Sequence, residues 1–254
     1  MVKTKIEWCD HTVNFCQGCL HTCNFCYARK MAKRFANVTA MKEWHHTGGA
    51  SCHLSHAEFI RLRDDLYTFK PVWLQSNYDR KLPKKPSRIF VNSMSDIAFW
   101  KSEWTEKVMQ KIEAYPQHVF LFLTKAPLIY ITEPFIKAPA NIWRGVTVNT
   151  QKQLLDLPVE YLFTRHKFVS IEPIQDDIAL DLSIKSYLID FPWVIVGAET
   201  GNRKGKITPQ PAWIRNLYDY TRKTGQNLFF KNSLEKLCIE NGIPFVQESP
   251  NFWM

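Results

Sequence analysis

Three cysteines fall within eight residues, Cys19-Leu20-His21-Thr22-Cys23-Asn24-Phe25-Cys26. The spacing is C-x3-C-x2-C, with an aromatic ring directly before the last thiol. Three thiolates on one short loop can hold three irons of a [4Fe–4S] cubane, whose usual complement is four cysteines. The remaining iron is then open to a small molecule. Cys16 lies just upstream and permits another pattern, C-x2-C-x3-C-x2-C, which would be a closed iron–sulfur or zinc site. Its central gap is far shorter than the roughly 15–20 residues of a zinc ribbon. The opening Met1-Val2-Lys3-Thr4-Lys5-Ile6-Glu7 has no apolar leader core. The expected compartment is the cytoplasm, where reduced thiols serve metals or catalysis.

A second group invites a metal reading. Cys52-His53-x2-His56 sits in a stretch, 37–56, that also holds His45, His46 and Gly48-Gly49. The plainer reading of that stretch is an irregular lid or surface loop. Before it, Tyr27 to Phe35 reads as a helix carrying Arg29, Lys30, Lys33 and Arg34. These cations make either a solvated face or, beside the cysteines, phosphate contacts.

The elements that position these groups follow from pattern. The chain has 254 residues, 45% of them hydrophobic, and its formal charge is +9. That length suits a single domain over 1–254, with a loop-rich insertion at about 37–87. No apolar run approaches a membrane span, and the charge favours an anionic partner. A loose first strand is expected within Lys5–Phe15. Ser55-x-x-Glu58 is a capping box that opens a helix to about Lys70. Short apolar runs follow at 88–92, 119–123, 141–148, 167–171, 193–196 and 227–230. Helices are expected at about 103–114, 211–223 and 233–240.

Strands that are apolar throughout are covered on both faces, which predicts a parallel α/β sheet, open or curved into a barrel. In such folds the site is built at the strands' carboxyl ends. There stand Asn92, Ser93, Ser95, Asp96, Thr124, Lys125, Thr147, Asn149, Glu172, Glu199 and Lys231. Each alone reads as a cap or turn residue; their recurrence after strand upon strand marks the set.

Gly18 to Ala28 resembles the cysteine loop of an uncharacterised phage and prokaryotic family with a three-cysteine motif of the radical S-adenosylmethionine (SAM) superfamily. The likeness continues in Ile6-Glu7-Trp8, Phe90 to Asp96, Leu123-Thr124-Lys125, Ser170 to Pro173 and Trp193 to Gly201. A more distant likeness is to spore photoproduct lyase. The resemblance implies a partial (β/α)6 TIM-like barrel with outer helices. It implies a [4Fe–4S] cluster on Cys19, Cys23 and Cys26, with SAM chelated by the open iron. Reductive cleavage of SAM would give a 5′-deoxyadenosyl radical that abstracts hydrogen from substrate. Phe25 and Tyr27 would lie along SAM, Phe25 against its adenine. Asn92, Ser93, Ser95 and Asp96 occupy the loop that holds the SAM amino group, in place of a frequent Gly-Gly-Glu. Thr124, Thr147, Asn149 and Glu199 would complete the cofactor contacts. Lys125 and Glu172 would face SAM or substrate, and Cys16 could donate hydrogen to a substrate radical or be an ordinary strand-end thiol. An electron donor of the flavodoxin or ferredoxin type is implied.

The substrate expected from the charge is nucleic acid or a nucleotide, with some of the nine tryptophans free to stack on a base. Two further classes compete: a nucleic-acid-binding module with a structural iron–sulfur or zinc site, and radical modification of a protein or peptide partner.

Overall fold

The computed structural model describes residues 4–47, 54–178 and 187–253. Contacts group the chain into two compact units. Cys9–Phe122 and Lys137–Asn141 make up most of the first; Lys5–Trp8, Leu123–Ile136 and Ile142–Met254 form the second.

The first unit runs through β1 (His11–Thr12), β2 (Cys16–Gln17), α1 (Tyr27–Thr47), α2 (His56–Thr68), β3 (Val72–Trp73), α3 (Gln75–Tyr78), β4 (Arg88–Phe90), α4 (Ser102–Glu113) and most of β5 (Val119–Thr124). β4 pairs in parallel with β1 and with β5, while β2 and β3 form an antiparallel ribbon. The loose strand expected over Lys5–Phe15 is thus reduced to two residues. Asp10 fixes its entry, through a backbone bond to Arg88 at 2.9 Å and an ion pair with the Arg88 guanidinium at 2.9 Å.

Helix α1 corrects the sequence reading. It runs on to Thr47, through residues expected to be loop. Asn37, Val38 and Thr39 are poor helix formers, but Ala28, Ala32, Ala36 and Ala40 recur every fourth residue and are all buried. Ala36 and Ala40 pack with Leu66, Val72 and Leu74, while Ala28 and Ala32 pack on Phe69, Cys19, Cys26 and Met94. A seam of methyl groups lets backbones approach closely, and that packing outweighs local propensity. Helix α2 starts as its capping box predicts: Ser55 Oγ accepts from the Glu58 amide, and Glu58 accepts from the Ser55 amide at 2.7 Å. It ends at Phe69, in the left-handed region at φ 62°.

The second unit contains α5 (Glu133–Ile136), β6 (Ile142–Val148), α6 (Gln151–Leu155), α7 (Val159–Leu162), β7 (Lys167–Ile171), β8 (Trp193–Val196), α8 (Pro211–Thr224), β9 (Asn227–Phe230) and α9 (Glu235–Glu240). Strands β6 to β9 lie side by side in sequence order, all parallel. Their register sets Thr147, Ser170, Ile195 and Phe229 in one row. Since side chains alternate across a strand, Trp143, Phe168 and Trp193 share that face. Trp8 closes on it, with ring centroids 5.9 Å from Phe168 and 6.1 Å from Trp193. The opposite face carries the buried row Val146, Val169 and Val194 with Leu228. The α/β class is therefore established, with parallel strands alternating with helices. No helix among the described residues is long and apolar enough to cross a membrane.

The C-terminal segment is stitched to β9 by Glu248. Its amide donates to Leu228 O at 2.9 Å, and its carboxylate accepts from the Leu228 amide and from Arg222. The Arg222 bonds hold the Glu248 carboxyl below its ordinary value. A depressed carboxyl stabilises the fold above its ordinary pKa of 4.5, and that share is lost as pH falls through the lower, folded value. Replacing Arg222 with methionine is expected to flatten the acid limb of stability below about pH 4.5. A thermal melt series from pH 6 to pH 3 checks this; superimposable acid limbs would refute it.

Candidate functional site

The cysteine loop is pinned at its entry. The Gly18 amide donates to Met94 O at 3.0 Å and the Cys19 amide to Phe69 O at 2.9 Å. Gly18 sits at φ +109°, and a Cβ there would stand 2.1 Å from Lys70 O. Only glycine lets the loop pass so close to the end of α2. On its other side the loop meets the segment after β4. His21 Nε2 lies 3.1 Å from Asp96 Oδ2, and the His21 ring stands edge-on to Phe99 at 4.8 Å. Tyr27 Oη donates to Ser93 O at 2.9 Å.

The thiols themselves are free and half-buried at Cys19, Cys23 and Cys26. The His21 amide donates to Cys19 Sγ and the Arg29 amide to Cys26 Sγ, each at 3.4 Å. Peptide N–H groups aimed at sulfur favour its anionic form. Burial works the other way at Cys19 and, with the neighbouring Asp96 and the other two thiols, pushes it up to about 12. Arg29 folds back over the loop instead of facing solvent. Its guanidinium donates to His21 O at 2.6 Å and to Cys19 O at 3.4 Å, and lies over the Phe69 ring at 5.1 Å.

The Asn92–Asp96 segment is fixed largely by Asn14. Asn14 Oδ1 accepts from the Met94 amide at 2.9 Å and from Ser93 Oγ at 3.1 Å. Ser95 Oγ accepts from Trp100 Nε1, and Asp96 caps the following turn through the Ala98 amide. Asn92 is buried and reaches Ser95 O. Replacing Asn14 with alanine is expected to cost about 1–3 kcal/mol, since the half-buried Ser93 hydroxyl and Met94 amide lose their shared acceptor. Chemical denaturation checks this, and a loss under about 0.5 kcal/mol, the size of an ordinary surface change, would contradict it.

Cys16 stands apart. It is fully buried in β2, paired with Trp73, and burial raises its thiol. Cys52 and His53 of the second suggested metal group lie outside the described residues, and His56 opens α2.

In the second unit the predicted polar residues gather in one row and its flank. The register puts Glu172, Gly197 and Lys231 two residues beyond Ser170, Ile195 and Phe229. Lys231 Nζ donates to Glu172 Oε1 and lies 3.8 Å from Glu7 Oε2. Gly197 makes the room: a Cβ there would meet Lys231 at 3.0 Å and Glu172 at 3.2 Å. Asn149, buried, accepts from Lys125 Nζ and donates to Pro173 O at 2.8 Å, which ties the ends of β5, β6 and β7. Thr124 Oγ1 accepts from the Ala126 amide, a turn role. Thr147 is half-buried beside Ser170, whose hydroxyl is buried without a partner. Glu199 holds Arg203 in two bonds of 2.7 and 2.8 Å within its own loop.

Arg29, read from sequence as a solvated or phosphate-contacting cation, bonds the loop carbonyls instead; Asn14, His21 and Glu7 were not singled out as site residues from sequence. Their partners lie far along the chain, and a polar residue inside the cysteine motif was the one available signal. Among the described residues, no three His, Cys, Asp or Glu side chains are gathered tightly enough to hold a metal ion. The loop's donors, three free thiols of which two accept amide hydrogen bonds, are of the kind an iron–sulfur cluster takes.

The chain belongs to a family of proteins of unknown function, DUF5131, whose model matches residues 3–239. No curated protein and no solved structure matches it.

Proposed function

We propose that this chain is a radical SAM enzyme, built on a partial (β/α)6 barrel, in which Cys19, Cys23 and Cys26 hold a [4Fe–4S] cluster with one open iron. The observation that carries the reading is the cysteine loop itself: three half-buried thiols, with amide donors on Cys19 Sγ and Cys26 Sγ, on a backbone pinned by Gly18. When bound, the cluster would supply the electron for reductive cleavage of SAM.

The protein's own residues then have definable work. Gly18 and Asn14 fix the loop against the segment after β4. Arg29 keeps a positive charge on the loop carbonyls, which offsets the thiolate charge. Phe25 and Tyr27 supply ring surface beside the last thiol, and Asn92, Ser93, Ser95 and Asp96 supply polar contacts. In the second unit, Lys125, Thr147, Asn149, Glu172, Glu199 and Lys231 are polar and charged groups at or beyond the ends of its strands. The fully buried Cys16 supports three ligands over four. The net charge of +9 supports nucleic acid or a nucleotide as substrate.

The test is product formation. Protein purified without oxygen, reduced with dithionite and given SAM, is expected to release 5′-deoxyadenosine. An intact cluster that yields none would overturn the reading. Zinc in place of iron would leave a structural site in a binding module.

A further inference from the structure

Helix α1 turns an unusual face outward. At 100° per residue, Tyr27, Lys30, Met31, Arg34, Phe35, Val38, Met41, Lys42 and His45 fall on one side, opposite the buried alanines. Apart from Lys42, which is half-buried, all are exposed. Large apolar groups are therefore interleaved with cations along the helix. The helix carries Arg29, Lys30, Lys33, Arg34 and Lys42 but a single acid, Glu43. That acid is turned inward, 3% exposed, and is bonded to the Ser76 amide and hydroxyl. The outward face thus has no carboxylate of its own helix to neutralise it.

At the far end of the same face lies an open pocket lined by Lys42, His45, His46, Ser76, Asp79 and Arg80. Its one carboxylate, Asp79, is taken by His46 Nε2 at 2.6 Å and by Gln75. Lys42 donates to Asn77 Oδ1 at 2.7 Å. Burial and then the charge of Arg80 hold its ammonium below the ordinary value. Lys42 and Arg80 both line this pocket, and an anion between them would pair with both.

We propose that the outward face of α1 binds single-stranded nucleic acid, with a backbone phosphate seated between Lys42 and Arg80 and bases stacked on Tyr27 and Phe35. Charge complementarity selects a polyanion, and the interleaved rings select one with exposed bases over a duplex or an acidic peptide. The face begins at Tyr27, which contacts the segment beside the cysteine loop. It names the substrate class for the reading above and rests on that reading for its chemistry.

The experiment uses full-length protein with its iron content measured, and a fluorescein-labelled oligo(dT) followed by anisotropy between 50 and 200 mM salt. Binding is expected to weaken steeply with salt. Each cation removed in the double variants Lys30→Gln/Arg34→Gln and Lys42→Gln/Arg80→Gln should lower the logarithmic salt slope by about 0.7. Phe35→Ala should weaken binding about fivefold or more. Lys236→Gln, on exposed α9, should change nothing. Unchanged slopes in both double variants would overturn the proposal. So would tighter binding of polyglutamate or of phosphatidylserine vesicles through the same cations. Lost oligonucleotide binding with full iron content sinks this proposal alone; intact binding by protein that takes up no iron sinks the cluster reading alone.

Discussion

Replacing Cys23 with alanine is expected to take bound iron from about four atoms per chain to near none after anaerobic reconstitution. The loop offers three thiols and no spare. Cys23 lies between two residues whose sulfurs already accept amide bonds, so its loss leaves a two-point site. Cys16 is too deeply buried in β2 to replace it without breaking the pairing with Trp73. The same loss is expected for Cys19→Ala and Cys26→Ala. Cys16→Ala should keep its iron. Iron and sulfide assays, with circular dichroism to confirm folding, check the set. Full iron in folded Cys23→Ala, or its loss only in Cys16→Ala, would contradict the assignment.

Gly18→Ala is expected to cost at least about 3 kcal/mol, and to lower the melting temperature by on the order of 10 °C. Two penalties coincide. The backbone at φ +109° is one that side chains rarely adopt, and the new Cβ would stand 2.1 Å from Lys70 O and 2.7 Å from Pro71 N. Both obstacles are backbone, so no rotamer change relieves them. The loop must move away from α2, which breaks the Cys19–Phe69 and Gly18–Met94 bonds. Iron uptake should fall along with stability, a coupling that a remote destabilising change would not show. An unshifted melt would mean the loop passes α2 elsewhere.

The strands were largely legible in the sequence because they are buried on both faces. The runs that became β4 to β9 are nearly all apolar, and no solvent face interrupts them. The capping box at Ser55 was legible because its bonds are local. Helix α1 beyond Phe35 was not, since Asn37, Val38 and Thr39 obscure a helix that burial of Ala36 and Ala40 sustains. The three cysteines declare themselves by spacing alone. What fixes them does not: Asn14 meets Ser93 and Met94 some 80 positions away, and His21 meets Asp96 at a similar remove. Arg29 reads as one cation among several on a helix, and only the fold turns it onto the loop. The row of Glu172, Gly197 and Lys231 was visible as separate strand ends, but their contact depends on register and on the missing side chain at Gly197.

The central claim is an iron corner left free by three sulfurs. Electron paramagnetic resonance of the dithionite-reduced protein, recorded with and without SAM, tests it most directly. A cluster signal whose g-values shift when SAM is added is the result expected here. A reduced-cluster spectrum identical in the two samples would mean the corner is closed.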